Sequence, residues 1–356
     1  MTQNPSHITL GILGGGQLGQ MSAIAAKKLG ISCIIFTPEH GSPASQISQQ
    51  TIIADYSDES ALRKFANSCD VITYEFENIP VDTIRFLTNL KPVFPDENLL
   101  KVSQDRIREK TFLNEIGIPT ARWAQANASK DILTTLESWN IKECILKTTR
   151  FGYDGKGQAR YNRDTNDIEQ IWAQLGTPPL IIEEIIPFEC EISMIIARDT
   201  KGHLALYGPM VNEHKNHILS RTTIPANLPQ DTTERATKIA KEIANRLNLQ
   251  GVLTIELFLT KEGELLANEI APRTHNSGHW SIDACPASQF ENHVRAVCGL
   301  ALGDSTPHSA AEMLNLIGDD VKKAQKYKDR SDAYIHLYGK RDIRPGRKMG
   351  HITILK

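Results

Sequence analysis

The chain has almost no charge of one sign to spare: 40 Lys and Arg face 42 Asp and Glu, a formal net charge of −2 over 356 residues. That balance leaves no electrostatic footprint for nucleic acid or an anionic membrane. Long hydrophobic runs are missing too; the longest are under ten residues, too short to span a bilayer. Residues 1–8 carry no basic-then-apolar signal, so a cytoplasmic location is expected. No C-x-x-C occurs among Cys33, Cys69, Cys144, Cys190, Cys285 and Cys298. Thiols scattered in this way suit a reducing compartment rather than a disulfide framework. Repeats and low-complexity tracts are also absent. What remains is ordinary globular composition, 40% hydrophobic and 23% charged, in a length that suits two or three domains.

The first hundred residues alternate strand and helix signals. Strands are expected at 8–13, 31–36, 51–54 and 70–74, helices at 17–29, 57–67 and 81–89, and a closing strand at 91–95. This is the pattern of an α/β unit with a doubly wound parallel sheet. A helix at 105–116 should stop at Gly117, before Pro119. Strands at 144–149 and 180–186, with a helix near 167–175, suit a small α+β lid. Longer runs follow: strands at 191–197 and 204–210, a helix at 232–247, a hairpin of 252–260 with 264–271, and a strand at 313–317 before two short ones. The resulting boundaries are 1–104, 105–187 and 188–356, the last with a short extension from about 305. The lysine-rich run 322–330 reads as a solvated face.

Three features carry chemistry. Gly14-Gly15-Gly16-Gln17-Leu18-Gly19 joins the first strand to the first helix and contains G-x-G-x-x-G. Such a turn suits a dinucleotide, with Glu39 as the ribose acid, another phosphate, or close packing alone. The second feature is the loop from Lys147 to Gln158, with Gly152, Gly155 and Gly157 and a further lysine, Lys156. It is no P-loop, yet it can fold over a triphosphate, or be a surface hairpin. Third, a two-residue turn at Glu262-Gly263 would set Glu256 opposite Glu269 on one sheet face. Like charges so placed are destabilising unless a cation such as Mg²⁺ sits between them. A turn longer or shorter by one residue would separate them. Arg273, His275 and Asn276 leave the same strand, suited to an anionic substrate meeting a nucleotide phosphate.

These features together resemble the ATP-grasp superfamily, which also places two acids eight apart, here Glu183 and Glu191. FGYDGKGQ (151–158), NEIAPRTHNSGHW (268–280), NLIG (315–318) and RPGRKMGH (344–351) narrow the resemblance to the N5-carboxyaminoimidazole ribonucleotide synthetases. It implies an ATP-grasp fold with an N-terminal Rossmann-like (pre-ATP-grasp) domain, a lid and a C-terminal α+β domain. By the same resemblance, ATP would lie against Arg106, Lys147, Gly152, Tyr153, Asp154, Gly155, Lys156, Gly157, Gln158, Glu183, Glu184, Ile185, Ile186, Glu191, His214, Asn268 and Glu269. Mg²⁺ would sit on Glu256 and Glu269. Aminoimidazole ribonucleotide would meet Gly15, Gly16, Gln17, Leu18, Glu75, Tyr153, Asp154, Arg273, His275, Asn276, Lys340 and Arg347, with its phosphate in the first glycine turn.

The implied reaction transfers phosphoryl from ATP to bicarbonate, and the carboxyphosphate formed carboxylates the 5-amino group. Lys147 and Arg273 would neutralise and hold anionic oxygens, and His275 would move a proton from the amine. Many members have glycine in place of Phe151, so the lid's first hinge is expected to be stiffer here. The resemblance implies a homodimer; relatives commonly continue beyond a segment like 344–351, so any dimer contact they make there is the part of that expectation this chain's short tail touches. Rival classes are another ATP-grasp ligase, a nicotinamide dehydrogenase resting on residues 14–19 alone, and a nucleotide sensor without turnover.

Overall fold

In the computed structural model, which describes residues 8–152, 155–176 and 178–356, the chain begins with β1 (Thr9–Leu13), α1 (Gln17–Lys28), β2 (Ser32–Thr37), β3 (Gln50–Ile53), α2 (Glu59–Asn67), β4 (Val71–Tyr74) and α3 (Val81–Thr88). The strands form a parallel sheet in the order β3-β2-β1-β4. A parallel sheet built on crossover helices is covered on both faces, so its inner strands β1, β2 and β4 are almost wholly buried, whereas the edge strand β3 is not. Leu10 and Ile12 accordingly pack with Met21 and Ala25 of α1, and Leu13 with Leu62 and Phe65 of α2. The strand expected at 91–95 is a single bridge, Val93 to Ile72. Pro92 and Pro95 carry no amide hydrogen and cannot extend a ladder. Two helices follow, α4 (Glu97–Ser103), which the pattern did not reveal, and α5 (Arg106–Glu115). The Asp105 carboxylate caps α5 by accepting from the amides of Ile107 and Arg108, and Gly117 ends it at φ +78°.

The lid comprises β5 (Trp123–Ala126), α6 (Ser129–Trp139), β6 (Glu143–Thr148), β7 (Gln158–Asn162), α7 (Ile168–Leu175) and β8 (Leu180–Glu183). Its antiparallel sheet, ordered β5-β8-β6-β7, packs Leu146, Tyr161 and Ile182 against Ile132, Leu136 and Ile171 of the two helices.

The remainder contains β9 (Phe188–Arg198), β10 (Leu204–Lys215), β11 (Ile218–Ile224), α8 (Gln230–Arg246), β12 (Gly251–Thr260), β13 (Leu265–Ala271), α9 (Ser281–Ala284), α10 (Gln289–Val297), β14 (Ala311–Ile317), β15 (Ala333–Leu337) and β16 (Lys348–Leu355). Its strands form one antiparallel sheet, β13-β12-β9-β10-β11-β14-β16-β15. Alternation along β9 fills two cores. Ile192, Met194 and Ile196 face α8, whereas Ile195 and Ala197 face Trp280 and Met313. Helix α10 ties this sheet to the first, since Phe290, Val294 and Val297 join the core around β1. The lysine-rich run lies largely in a 3₁₀ helix, Gly318–Tyr327, where Lys322 and Lys323 pair with Asp319 and Asp320 at 2.6 and 2.5 Å. Locally neutralised, it is the solvated face its composition indicates.

Candidate active site

The hairpin of β12 and β13 turns differently from the expectation. The Thr260 amide donates to the Glu264 carbonyl at 2.9 Å and the Gly263 amide to the Thr260 carbonyl at 3.0 Å, so the loop has three residues, not two. That extra residue alone would put Glu256 and Glu269 on opposite faces. A β-bulge reverses the slip: Leu257 pairs with Ala267, but Glu256 pairs with Glu269, leaving Asn268 as the additional residue. Helix α5 holds the bulge. Lys110, fully buried, donates from Nζ to the carbonyls of Ala267 at 3.3 Å and Asn268 at 2.9 Å, and Glu109 accepts from the Ile270 amide at 2.6 Å.

The facing acids are poorly tolerated as they stand. Burial and the Glu269 charge push the Glu256 carboxyl up to about 8, and the same two causes push Glu109 up to about 8. Glu256 also feels His214 and Glu191, a bonded pair. Burial lowers the His214 imidazole, but Glu191 outweighs it and raises the group overall. Arg106 reaches Glu269 at 3.3 Å. Two converging carboxylates, together with the buried Asn268 Oδ1 that has no hydrogen-bond partner among the described residues, fit a hard divalent cation.

On the lid, Lys147 at the end of β6 donates to Glu183 Oε2 at 2.6 Å, and Lys110 stands 3.6 Å from Oε1. Burial raises the Glu183 carboxyl, but Lys147 and Lys110 outweigh it and hold it at about 2. Strand β8 ends at Glu183, so Glu184, Ile185 and Ile186 form a half-buried connection rather than strand. Gly152, Gly155, Lys156 and Gly157 lie on the β6–β7 connection and Gln158 opens β7, while Tyr153 and Asp154 fall outside the described residues. A Cβ on Gly157 would come 2.5 Å from Thr148 Oγ1, and Gly155 lies against His217, so glycine is required at both. Phe151 adopts φ +63°, a left-handed conformation that suits glycine better.

Across the cleft, Arg273 is clamped by Glu77. Nε bonds one carboxylate oxygen and Nη2 the other at 2.9 Å, while Nη1 donates to the Thr274 carbonyl at 3.1 Å. Burial opposes ionisation of Glu77, but Arg273 holds it below the usual range. His275 sits between Ser277 and Glu256, its Nε2 3.3 Å from Glu256 Oε1. Burial, Arg273 and Lys348 hold its imidazole neutral, well below the ordinary value. Gln289 accepts from the His275 amide at 2.9 Å and donates to its carbonyl at 2.6 Å, fixing the backbone. Asn276 borders the cleft, and its side-chain amide exchanges two hydrogen bonds with buried Asn315, at 2.9 and 2.7 Å.

The first glycine turn packs around an acid. The Glu75 carboxylate accepts from the amides of Gly16 and of Gly19, the latter at 2.7 Å, filling the N-terminus of α1. A Cβ on Gly14 would lie 2.4 Å from Glu75 Cγ, and one on Gly15 2.4 Å from Ser42 Oγ. Glycine is required at both positions for close packing, and the Glu75 carboxylate takes the two amides. Positive charge gathers elsewhere. Lys340, bonded to the Lys348 carbonyl at 2.9 Å, is pushed down to about 8 by burial and by Arg347.

A cleft of about 450 Å³ brings together Gly16, Gln17, Leu18, Glu75, Arg106, Gly152, Glu269, Arg273, His275 and Asn276. Gly15, Lys147, Glu183, Glu191, His214, Glu256, Asn268, Lys340 and Arg347 do not border it, but the contacts above tie most of them to its walls. The sequence did not single out Glu77, Gln104, Glu109, Lys110, Arg150 and Lys348; Arg150 and Lys348 lie within segments it marked, and nothing in the local pattern of the other four does. Asp283, His336 and His351 form a further cluster with ligand atoms within 4.8 Å. The two imidazoles are stacked 11° from parallel, so their lone pairs do not converge on one ion.

Three matches to known families cover nearly the whole chain: a ribonucleotide synthetase preATP-grasp domain over residues 7–104, an ATP-grasp domain over 111–290 and a phosphoribosylaminoimidazole carboxylase C-terminal domain over 311–356. The chain is 45% identical over 349 residues to the N5-carboxyaminoimidazole ribonucleotide synthase of Brucella melitensis, covering 98% of this chain and 96% of that one. The N5-carboxyaminoimidazole synthetase of Staphylococcus aureus, solved with ADP, superposes with a TM-score of 0.93 at 35% identity, covering 98% and 93% of the two chains. The Aspergillus clavatus enzyme, solved with ADP and 5-aminoimidazole ribonucleotide, gives 0.91 at 28% identity, covering 99% and 94%. The chain therefore belongs to the N5-carboxyaminoimidazole ribonucleotide synthetases, ligases of the ATP-grasp superfamily.

Proposed function

We propose that this protein uses ATP to carboxylate 5-aminoimidazole ribonucleotide with bicarbonate, through carboxyphosphate, yielding N5-carboxyaminoimidazole ribonucleotide, ADP and phosphate. The carrying observation is the Glu256–Glu269 pair, returned to one face by the Asn268 bulge beside the cleft that Arg273 and His275 line. Glu256, Glu269 and Asn268 Oδ1 would hold Mg²⁺, which supplies charge neutralisation for the transferring phosphoryl group. Lys147 and Arg106 place cationic groups toward ATP phosphates, with Gly152 to Gln158 as cover, Glu184 to Ile186 along the adenine and Glu191 with His214 at the ribose. Closure of that cover excludes the water that would hydrolyse carboxyphosphate. Arg273, fixed by Glu77, presents its outer edge to the bicarbonate-derived oxygens. The ribonucleotide's phosphate is assigned to Lys340 and Arg347, whose mutual repulsion an anion relieves, and Gln17, Leu18 and Glu75 wall its ribose. A homodimer and a cytoplasmic location belong to the same reading; among the described residues no helix is long and apolar enough to cross a membrane.

ADP release measured with each substrate omitted in turn tests the reaction. Release should need both bicarbonate and aminoimidazole ribonucleotide, and glycinamide ribonucleotide with formate should not replace them. Pure folded protein that releases no ADP with the full set would end the proposal. Lys340→Ala is expected to raise KM for the ribonucleotide about 10–100-fold, the loss of one charged hydrogen bond, with KM for ATP little changed. An unchanged ribonucleotide KM would remove Lys340 from the phosphate site.

A further inference from the structure

We propose that a buried hydrogen-bond chain, Asn212–Ser193–Ser277, fixes His275 as an Nε2–H donor, making it a positioning residue for Glu256 rather than a base. The inference rests on the proposed role of Glu256 as a cation ligand. Four buried side chains from four segments meet behind the cleft: Ser193 on β9, Asn212 on β10, Thr222 on β11 and Ser277 in the 3₁₀ turn after β13. Thr222 Oγ1 donates to Asn212 Oδ1 at 2.9 Å, and Asn212 Nδ2 donates to Ser193 Oγ at 2.8 Å. Ser193 Oγ then donates to Ser277 Oγ at 2.9 Å, which lies 2.8 Å from His275 Nδ1.

The Asn212 amide nitrogen can only donate, and Ser193 Oγ gives its own proton to Ser277 Oγ. Each hydroxyl has one proton and two lone pairs, so Ser277, accepting from Ser193, keeps its proton available for Nδ1. The other end agrees independently. The Ser277 backbone amide, which cannot accept, points at the same Nδ1 at 3.3 Å. With Nδ1 accepting, the neutral ring carries its proton on Nε2, and that nitrogen faces Glu256 Oε1 at 3.3 Å. A ring committed in this way has no lone pair to remove a proton from the substrate amine. Its donor can instead hold one Glu256 oxygen while the carboxylate serves a cation, the outer-shell arrangement that orients metal ligands.

Two-bond ¹H–¹⁵N correlation spectra of the full chain, labelled at histidine and assigned with His275→Gln, read the tautomer directly. The wild type should show Nδ1 bare and Nε2 protonated. Asn212→Asp substitutes an acceptor for the donor; it should move population to the Nδ1–H form and lower kcat about 10–100-fold with KM for ATP little changed. Ser277→Ala keeps the backbone donor, so the Nε2–H form should persist with a smaller loss. A wild type carrying Nδ1–H overturns the proposal, as does an Asn212→Asp enzyme that loses activity with the tautomer unmoved. Should the aspartate variant not fold, the wild-type spectrum decides. An enzyme inactive with the full substrate set but showing Nε2–H would overturn the proposed reaction and leave the chain's control of His275 supported.

Discussion

Glu269→Gln is expected to lower kcat for ADP release by about 10³-fold or more, because the charge facing a transferring phosphoryl group depends on it. The same substitution should flatten the pH dependence of stability in metal-free protein. Glu256 and Glu109 are each raised to about 8 by burial and by the Glu269 charge. In the unfolded chain a glutamate titrates near about 4.3. Between that value and about 8 the folded protein keeps protons that the unfolded chain releases. The stabilisation is therefore complete below the unfolded value and is lost as pH rises toward 8. Glu183, held at about 2, acts in the opposite sense and only at lower pH. Without Glu269, both raised groups move back toward ordinary values and the slope across this window shrinks. Urea midpoints of both proteins at about pH 5 and pH 8, with and without Mg²⁺, check this. Mg²⁺ should recover stability at the higher pH in the wild type and not in the variant. Wild-type turnover in Glu269→Gln would remove the cation role altogether.

The Glu256–Glu269 pair marks the boundary of what residue order reveals. The opposition of the two acids follows from a two-residue turn, but the molecule reaches it through a three-residue loop and a compensating bulge at Asn268. Two shifts of one residue cancel, and local pattern carries neither. The parallel sheet was legible because its buried strands are short apolar runs and its helices show helical spacing. Strand β11 was not. It follows β10 through Asn216 and His217, both at positive φ (50° and 63°), where Asn-Gly would have announced a hairpin. The motif strings lie in loops and strand ends, several of which border the cleft. They do not show which side chains bond one another: Asn276 exchanges bonds with Asn315, and Glu75 accepts from the amides of the first glycine turn. The partners that decide these roles lie far away in sequence, as Glu77 does from Arg273 and Glu109 from Ile270, and only the fold brings them together.

Lys110→Met is expected to cost about 3–5 kcal/mol of stability, the usual loss when one member of a buried ionic group is removed. Lys110 is fully buried, and burial depresses its ammonium although Glu183 partly offsets this. Six ionisable groups meet here, Arg106, Lys110 and Lys147 with Glu109, Glu183 and Glu269. Methionine fills similar volume but removes a cation that stands 3.6 Å from Glu183. Glu183 would keep its 2.6 Å bond to Lys147, so the larger damage falls on β13. The carbonyls of Ala267 and Asn268 lose the donor that satisfies them across the bulge. Without that donor the extra residue has less reason to stay, and a strand that expels it carries Glu269 to the other face. Turnover and Mg²⁺-dependent stabilisation should therefore fall together, beyond what lower stability alone explains. Lys110→Arg should not rescue either, since a guanidinium does not fit a fully enclosed ammonium site. Urea midpoints with and without Mg²⁺, measured where both proteins remain folded, decide the matter. A Lys110→Met protein that is less stable yet gains as much from Mg²⁺ as the wild type would show that the bulge holds without its lysine.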